Sequence, residues 1–322
     1  MNVKNRVLEI LEKRIGENIS GEEMAKTLGI SRNSVWKAIK ALKDDGYDIS
    51  AQTKNGYVLS CENDLFTAHS INKLLNKKCN VIIYDERDSS NNVAKELAQN
   101  GEKDGTLVVV KRQTKGKGRM GRSFISNEEN GLYMSLILRP TISASESLDI
   151  TIIGAVAVAE AIEKLAQIPC GIKWVNDVFI GEKKVCGILT EASLSFETSS
   201  LDYVVLGIGV NIIPPPQGFD REIENIACAI LEKNEIGFKS RLCAEIINRF
   251  YFYYDNIKER SFINVYKTKS NIIGKNVDVF RGSEIISGKC TDIDDFGNLV
   301  VESNGETMKF SSGEARVRKN EQ

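Results

Sequence analysis

Residues 20–60 constrain the fold more than any other stretch of the chain. In SGEEMAKTLGISRNSVWKAIKALKDDGY (20–47), Ser20 stands three residues before Glu23, the spacing of a capping box, and the helix it opens stops at Gly29. Ser31 opens a second helix with an apolar stripe of Val35, Ile39 and Leu42, ending near Gly46. Two short helices across a tight Leu-Gly-Ile-Ser turn form a helix-turn-helix. DISAQTKNGYVLS (48–60) follows, and Asn55-Gly56 between apolar runs signals a hairpin. Helix-turn-helix plus hairpin is a winged helix. Val7, Leu8, Leu11 and Ile15, at helix spacing, add a helix in front of it.

The second of these helices carries chemistry. It holds Arg32, Lys37, Lys40 and Lys43 and no acid through residue 43. Its opening residues, Ser31, Arg32, Asn33 and Ser34, have side chains of the kinds that bond base edges or phosphates. Charges on an exposed helix are usually only solvated. Here a capped first helix, a turn, a basic second helix and Lys54 at the wing tip occur together, so DNA binding is the reading. Trp36 and Tyr57 are assigned to packing. With 43 basic and 44 acidic residues the chain carries a net charge of −1, so any nucleic-acid contact comes from a local patch.

CENDLF (61–66) reads as a linker, and a mixed pattern follows to about residue 270. Helices are expected at 68–77 and 89–100 and strands at 81–86, 106–112, 131–139 and up to 203–213. The apolar stretch 149–166 is too short, and ends too charged, to cross a bilayer, and reads as a buried helix. Three prolines at 214–216 break the sheet pattern, with helices expected at 222–232 and 239–259. Strands and helices do not alternate strictly, so the fold class is α+β. Short β segments between Gly- and Asn-containing turns, from 271 to 318, read as a small β-barrel. The expected domains are 1–63, 64–270 and 271–322.

Residue counts exclude several chemistries. The one histidine, His69, makes a three-histidine zinc site impossible and is the only candidate for a Ser-His-Asp triad; nothing marks it as catalytic. The seven cysteines (61, 79, 170, 186, 228, 243 and 290) are odd in number, scattered and never in a C-x-x-C. That argues against a disulfide framework or a Cys-rich metal site, and for a reducing cytoplasm. The opening MNVKNRVLEILEKR lacks the apolar core and cleavage site of a signal peptide.

Three further segments bear on function. In QTKGKGRMGRSF (113–124), residues 116–121 match G-x-G-x-x-G, but the chain continues as loop and strand, without the helix a dinucleotide fingerprint requires. What remains is a cationic loop, with Lys111, Arg112, Lys115, Lys117, Arg119 and Arg122 and no acid before Glu128. Its glycines and cations favour an organised phosphate site over a solvated loop or a second nucleic-acid patch. In GIKWVNDVFIGEKKVCGILTEAS (171–193), Lys184 enters an otherwise apolar strand, where it either snorkels to solvent or meets a buried anion. The glycines of GIGVNI (207–212) mark either close approach of a ligand or another backbone, or a plain bulge.

Together these segments resemble the biotin–protein ligase family, above all its two-function bacterial members, which also repress biotin synthesis. The resemblance spans the whole chain and rests on DSSNN (88–92), GKGRMGRSF (116–124), KWVND (173–177), KKVCGILTE (183–191) and GIGVN (207–211). Departures are modest: Lys117 stands where arginine is usual, Ser90 for threonine, Val175 for proline and Phe124 for tryptophan. The resemblance implies a winged helix, an α+β core with a mixed sheet and an SH3-like C-terminal barrel. It implies that MgATP and biotin form biotinyl-5′-AMP, and that a lysine of a biotin carboxyl carrier protein then takes the biotin. It places Ser89, Ser90, Asn91, Gln113, Lys117, Gly118, Arg119 and Lys184 at biotin, with Lys184 and Arg119 catalytic. Arg122, Phe124, Asn176, Asp177 and Asn211 fall at the nucleotide. The implied partners are the carrier protein, operator DNA and, with adenylate bound, a second copy of the chain; no membrane is involved. A sensor without catalysis and a lipoate ligase are the rival readings.

Overall fold

In the computed structural model, which describes residues 3–44, 47–52, 56–60, 66–143, 146–194 and 201–318, the opening segment folds as its caps dictate. The chain forms two compact units, residues 1–70 and 71–322. In the first, α1 (Val3–Lys13), α2 (Gly21–Leu28) and α3 (Arg32–Asp44) precede an antiparallel hairpin of β1 (Ile49–Gln52) and β2 (Gly56–Leu59). The Glu23 amide donates to Ser20 Oγ at 3.0 Å, Gly29 ends α2 in the left-handed region, and the Ser34 amide donates to Ser31 Oγ at 3.1 Å. Val7, Leu11, Ile19, Met24, Val35, Ile39, Leu42 and Leu59 make its buried core. Ile15 does not join this core: α1 ends at Lys13, and Ile15 is exposed beyond it. Gly46, Lys54, Asn55 and residues 61–65 lie outside the described residues.

The helix α4 (Ala68–Leu74) spans the division, and the second unit is built on a seven-stranded sheet. Its elements are β3 (Val81–Arg87), α5 (Ser90–Gln99), β4 (Leu107–Gln113), β5 (Gly131–Leu138), α6 (Ser147–Ala166), β6 (Gly171–Lys173), β7 (Asp177–Ile180), β8 (Lys183–Leu194) and β9 (Leu201–Asn211). The strand order is β3-β4-β5-β9-β8-β7-β6. Only β3 and β4 run parallel, because α5 crosses over between them, and the other pairs are antiparallel. One face of the sheet takes α5, through Val93, Ala94 and Ala98 on Val108, Val110 and Val205. The other takes α6, which is apolar all round because α7 (Phe238–Tyr254) and α8 (Ser261–Thr268) cover its outer side.

The helix expected at 222–232 does not form. Residues 221–226 run as turns, and their backbone pairs with β8 instead: the Lys184 amide donates to Ile226 O at 2.8 Å and the Cys228 amide to Lys184 O at 2.9 Å. The three prolines upstream and these sheet-edge partners outweigh the helical spacing. Beyond residue 271, β10 (Asn276–Arg281), β11 (Glu284–Ile293), β12 (Leu299–Ser303), β13 (Glu306–Phe310) and β14 (Glu314–Val317) form a five-stranded antiparallel sheet, ordered β13-β12-β11-β10-β14. Trp174 ties it to the larger sheet, its Nε1 donating to Gly297 O at 3.0 Å. Among the described residues no helix is long and apolar enough to cross a membrane.

Candidate active site

Strand alternation builds the floor of the site. Register pairs Gly187 with Gly209, and Gly207 with both Leu189 and Ser135. These residues share the α5 face of the sheet, where side chains repeat every second residue. A Cβ at Gly209 would lie 2.9 Å from the Phe124 ring, and one at Gly207 would overlap the Asn91 amide. The glycines of 207–212 therefore serve close approach of other side chains, and the β9 ladder continues through them without a bulge.

A hydrogen-bonded wall rises from that floor at the start of α5. Ser89, Ser90, Asn91 and Gln113 are all buried. Gln113 Oε1 accepts the Ser90 amide at 2.7 Å, and its Nε2 donates to Ser126 Oγ at 2.9 Å. Asn91 Nδ2 donates to Leu189 O at 3.2 Å and to Glu191 Oε2 at 2.9 Å; Ser135 Oγ donates to Asn91 Oδ1 at 2.6 Å and sits 2.8 Å from Ser90 Oγ. Glu191 is held in turn by Lys95 at 2.8 Å. Burial alone would raise the Glu191 carboxyl, but its bonds to Lys95 and Asn91 hold it below the ordinary range. Ser89 occupies the N-cap position of α5, yet its side chain makes no capping hydrogen bond.

The basic loop folds back over this groove. The Gly118 amide donates to Arg122 O at 2.7 Å and the Phe124 amide to Gly116 O at 2.9 Å. Lys117 Nζ reaches Asn92 Oδ1 at 2.5 Å, while Arg119 donates to Asn176 Oδ1 at 3.0 Å and to Gly313 O at 3.2 Å. Lys184 comes up from β8 and pairs with Asp177 at 2.8 Å. The lysine left open between solvent and a buried anion thus meets a carboxylate. Ser89, Ser90, Asn91, Gln113, Lys117, Gly118, Arg119, Phe124, Asn176 and Lys184 line one pocket.

A neighbouring pocket is lined by Arg122, Phe124, Asp177, Lys184 and Asn211, together with the apolar side chains of Phe179, Phe219, Ile223 and Ile226. Arg122 is engaged by both Glu314 oxygens, at 3.2 and 2.5 Å, and Asn211 Nδ2 donates to Cys228 O at 3.0 Å. Burial would raise Glu314, but Arg122 and Arg316 bring it down to about 2. Sequence reasoning missed Lys173, which lines the same pocket, half-buried and with its ammonium in no hydrogen bond or ion pair among the described residues. Burial pulls its ammonium below the ordinary lysine range, with Asp177 opposing. Its signal was available: it opens the KWVND segment. Ser135, Glu191 and Glu314 were missed as well. Glu191 closes the KKVCGILTE segment, so its signal was available too; only strand register reveals Ser135, and Glu314 arrives from a different sheet.

In the first unit Arg32, Asn33, Lys37 and Lys40 are exposed on α3, opposite its buried Val35, Ala38, Ile39 and Leu42, whereas Ser31 and Ser34 are partly spent on each other, Oγ to Oγ at 2.9 Å. Tyr57 packs against the core as expected. Trp36 does not: 52% of it is exposed, because its position on the helix faces away from the core.

Three sequence profiles match the chain: Biotin/lipoate A/B protein ligase family over residues 84–211, HTH domain over 3–58, and Biotin protein ligase C terminal domain over 272–318. The Bacillus subtilis (strain 168) protein named Bifunctional ligase/repressor BirA is 33% identical, with 98% of each chain covered. The Escherichia coli (strain K12) protein of the same name is 27% identical over 94% of each. A solved structure of biotin protein ligase from Aquifex aeolicus in complex with biotin and ATP is 29% identical, with a TM-score of 0.63, covering 75% of this chain and 99% of that one.

Proposed function

The chain belongs to the biotin/lipoate A/B protein ligase family, in its bifunctional ligase/repressor branch, and from that premise we propose how its residues divide the work. The protein is an ATP-dependent biotin–protein ligase. It forms biotinyl-5′-AMP, passes biotin to a lysine of a biotin carboxyl carrier domain, and acts as a biotin-responsive repressor through its helix-turn-helix. The division of labour follows residues 1–63, 64–270 and 271–322.

The observation that carries the reading is the groove itself: a buried amide-and-hydroxyl wall at one end and converging cations at the other. Biotin's polar ring suits Ser89, Ser90, Asn91 and Gln113, and its carboxylate reaches Lys184 and Arg119 under Lys117 and Gly118. The nucleotide lies against Phe124, Asn176, Asp177 and Asn211, with Arg122 and Lys173 facing its phosphates. A carboxylate oxygen attacks the α-phosphorus, and the bond to pyrophosphate breaks. Two anions meet in this step, so alignment and charge neutralisation do the catalysis and no protein nucleophile is required. The neutral amine of the acceptor lysine then attacks the acyl carbon and AMP leaves with the acyl–oxygen electron pair.

Mg²⁺, brought with the nucleotide, would neutralise part of the phosphate charge. Asp177, bonded by the Asn176 amide and paired with Lys184, would be the carboxylate to hold it, and the described residues form no cluster of three or more His, Cys, Asp or Glu. That donor set suits an ion that takes most of its ligands from phosphate and water. The six described cysteines are free, which fits a reducing cytoplasm. Adenylate binding drives homodimerisation in this reading.

Incubation with labelled biotin, MgATP and a biotin carboxyl carrier domain tests the activity. Label on the acceptor, undiminished by excess lipoate, is the expected result; no transfer, or competition by lipoate, would overturn it.

A further inference from the structure

We infer that Trp36 reads DNA directly, its indole packing against a thymine methyl in the major groove. The inference rests on the reading of the first unit as the operator-binding part.

The observation is where Trp36 stands. On α3 the core face is Val35, Ala38, Ile39 and Leu42, and the opposite face is Arg32, Asn33, Trp36, Lys37 and Lys40. Arg32, Trp36 and Lys40 follow at intervals of four, so they form one row down the helix, about 12 Å long at ~1.5 Å per residue. An indole 52% exposed in the middle of such a row adds nothing to the core of its unit, whose partly buried margin is formed by Ile10, Leu28, Ile30, Tyr47 and Tyr57. The Lys40 ammonium lies 5.9 Å from the ring centroid, so the ring is presented among cations.

Charge selects the occupant. From Ser31 to Lys43 the helix carries four cations and no acid, which suits a polyanion. A recognition helix lays its N-terminal residues along the major groove, where the thymine methyl is the one alkyl group among the donors and acceptors of the base edges. An exposed aromatic ring flanked by phosphate-seeking cations matches that one apolar feature.

The chain has two tryptophans, and the other, Trp174, is buried with its Nε1 bonded to Gly297 O, so an aqueous quencher reports on Trp36 almost alone. The probe DNA is a duplex selected by the wild-type protein from a random-sequence pool, with biotin and MgATP present. The expected results are three. Bound duplex shields Trp36 from acrylamide. Replacing thymines in the site by uracil weakens wild-type binding roughly tenfold or more, the scale of losing one good base contact. Trp36→Ala binds the thymine duplex as weakly as wild type binds the uracil one, no longer distinguishes the two, and keeps the wild-type salt slope, because it contacts no phosphate. Trp36→Phe restores part of the methyl preference, and biotin transfer by both variants stays at the wild-type rate, showing an intact fold. Unshielded Trp36, or equal thymine-to-uracil discrimination by wild type and Trp36→Ala, would overturn the inference while operator binding stands. A wild-type protein that selects no sequence would overturn the operator-binding reading, and the inference with it.

Discussion

At the scale of single residues, Lys184 and Lys173 differ in what faces them. Lys184 is paired with Asp177 at 2.8 Å, whereas Lys173 has no ion pair among the described residues. Lys184→Ala removes a charge at the proposed carboxylate–phosphate junction and is expected to cost about 2–4 kcal/mol of transition-state stabilisation. Biotin-dependent ATP–pyrophosphate exchange should fall accordingly with no change in melting temperature, and near-normal exchange would exclude the role. Lys173→Gln should act on the nucleotide alone. Losing one charge-assisted bond, worth about 1.5–3 kcal/mol, should raise the KM for ATP by roughly tenfold or more while biotin binding is unchanged. An unaltered KM would remove Lys173 from the phosphate site. Lys184 stood out in the sequence as a charge inside an apolar strand. Nothing in spacing showed that Lys173 would be left unpaired, because that depends on Asp177 turning to Lys184.

At the scale of elements, the basic loop is held from two sides. Arg119 bonds Asn176 and Gly313, and Arg122 bonds Glu314 on β14. Folding lowers the Glu314 carboxyl from 4.5 to about 2, so its ionised form favours the folded state. That contribution is complete above pH 4.5 and is lost as the pH falls toward about 2. Arg122 is 58% exposed, so solvent screens the pair and the contribution stays below about 1 kcal/mol. Glu314→Gln should therefore lower the melting temperature slightly at pH 7, with the difference from wild type closing as pH drops below 4.5. A difference that grows with acid would contradict the assigned clasp. The loop's phosphate-site character was legible in its glycines and cations. Its partner on β14 was not, because 192 residues separate Arg122 from Glu314.

At the scale of the whole molecule, the core of the first unit is drawn entirely from residues 7–59. Deleting residues 1–63 should abolish operator binding in a gel-shift assay and leave biotin transfer intact. DNA binding that survives would move the contact to the basic loop at 113–122. One recognition helix reads one half-site, so operator binding calls for a two-fold pair. Sedimentation velocity should give a monomer without ligand and a dimer with biotin and MgATP; an unchanged state together with unchanged operator affinity would refute that coupling. The sequence by itself determined the winged helix, the mixed α+β core and the final β segment, because caps, turns and two-residue or 3.6-residue periodicity act within a few neighbours. It also exposed the wall and loop motifs, whose residue types already carry the chemistry. Tertiary structure alone decided that residues 222–232 stay out of a helix, that Trp36 faces solvent, that Gly187, Gly207 and Gly209 clear one floor, and that Ser135, Glu191 and Glu314 brace the site. Each of these depends on strand register, on which helix face a neighbouring element covers, or on contacts some forty to two hundred residues apart, and those are set by which faces bury together, not by local preference.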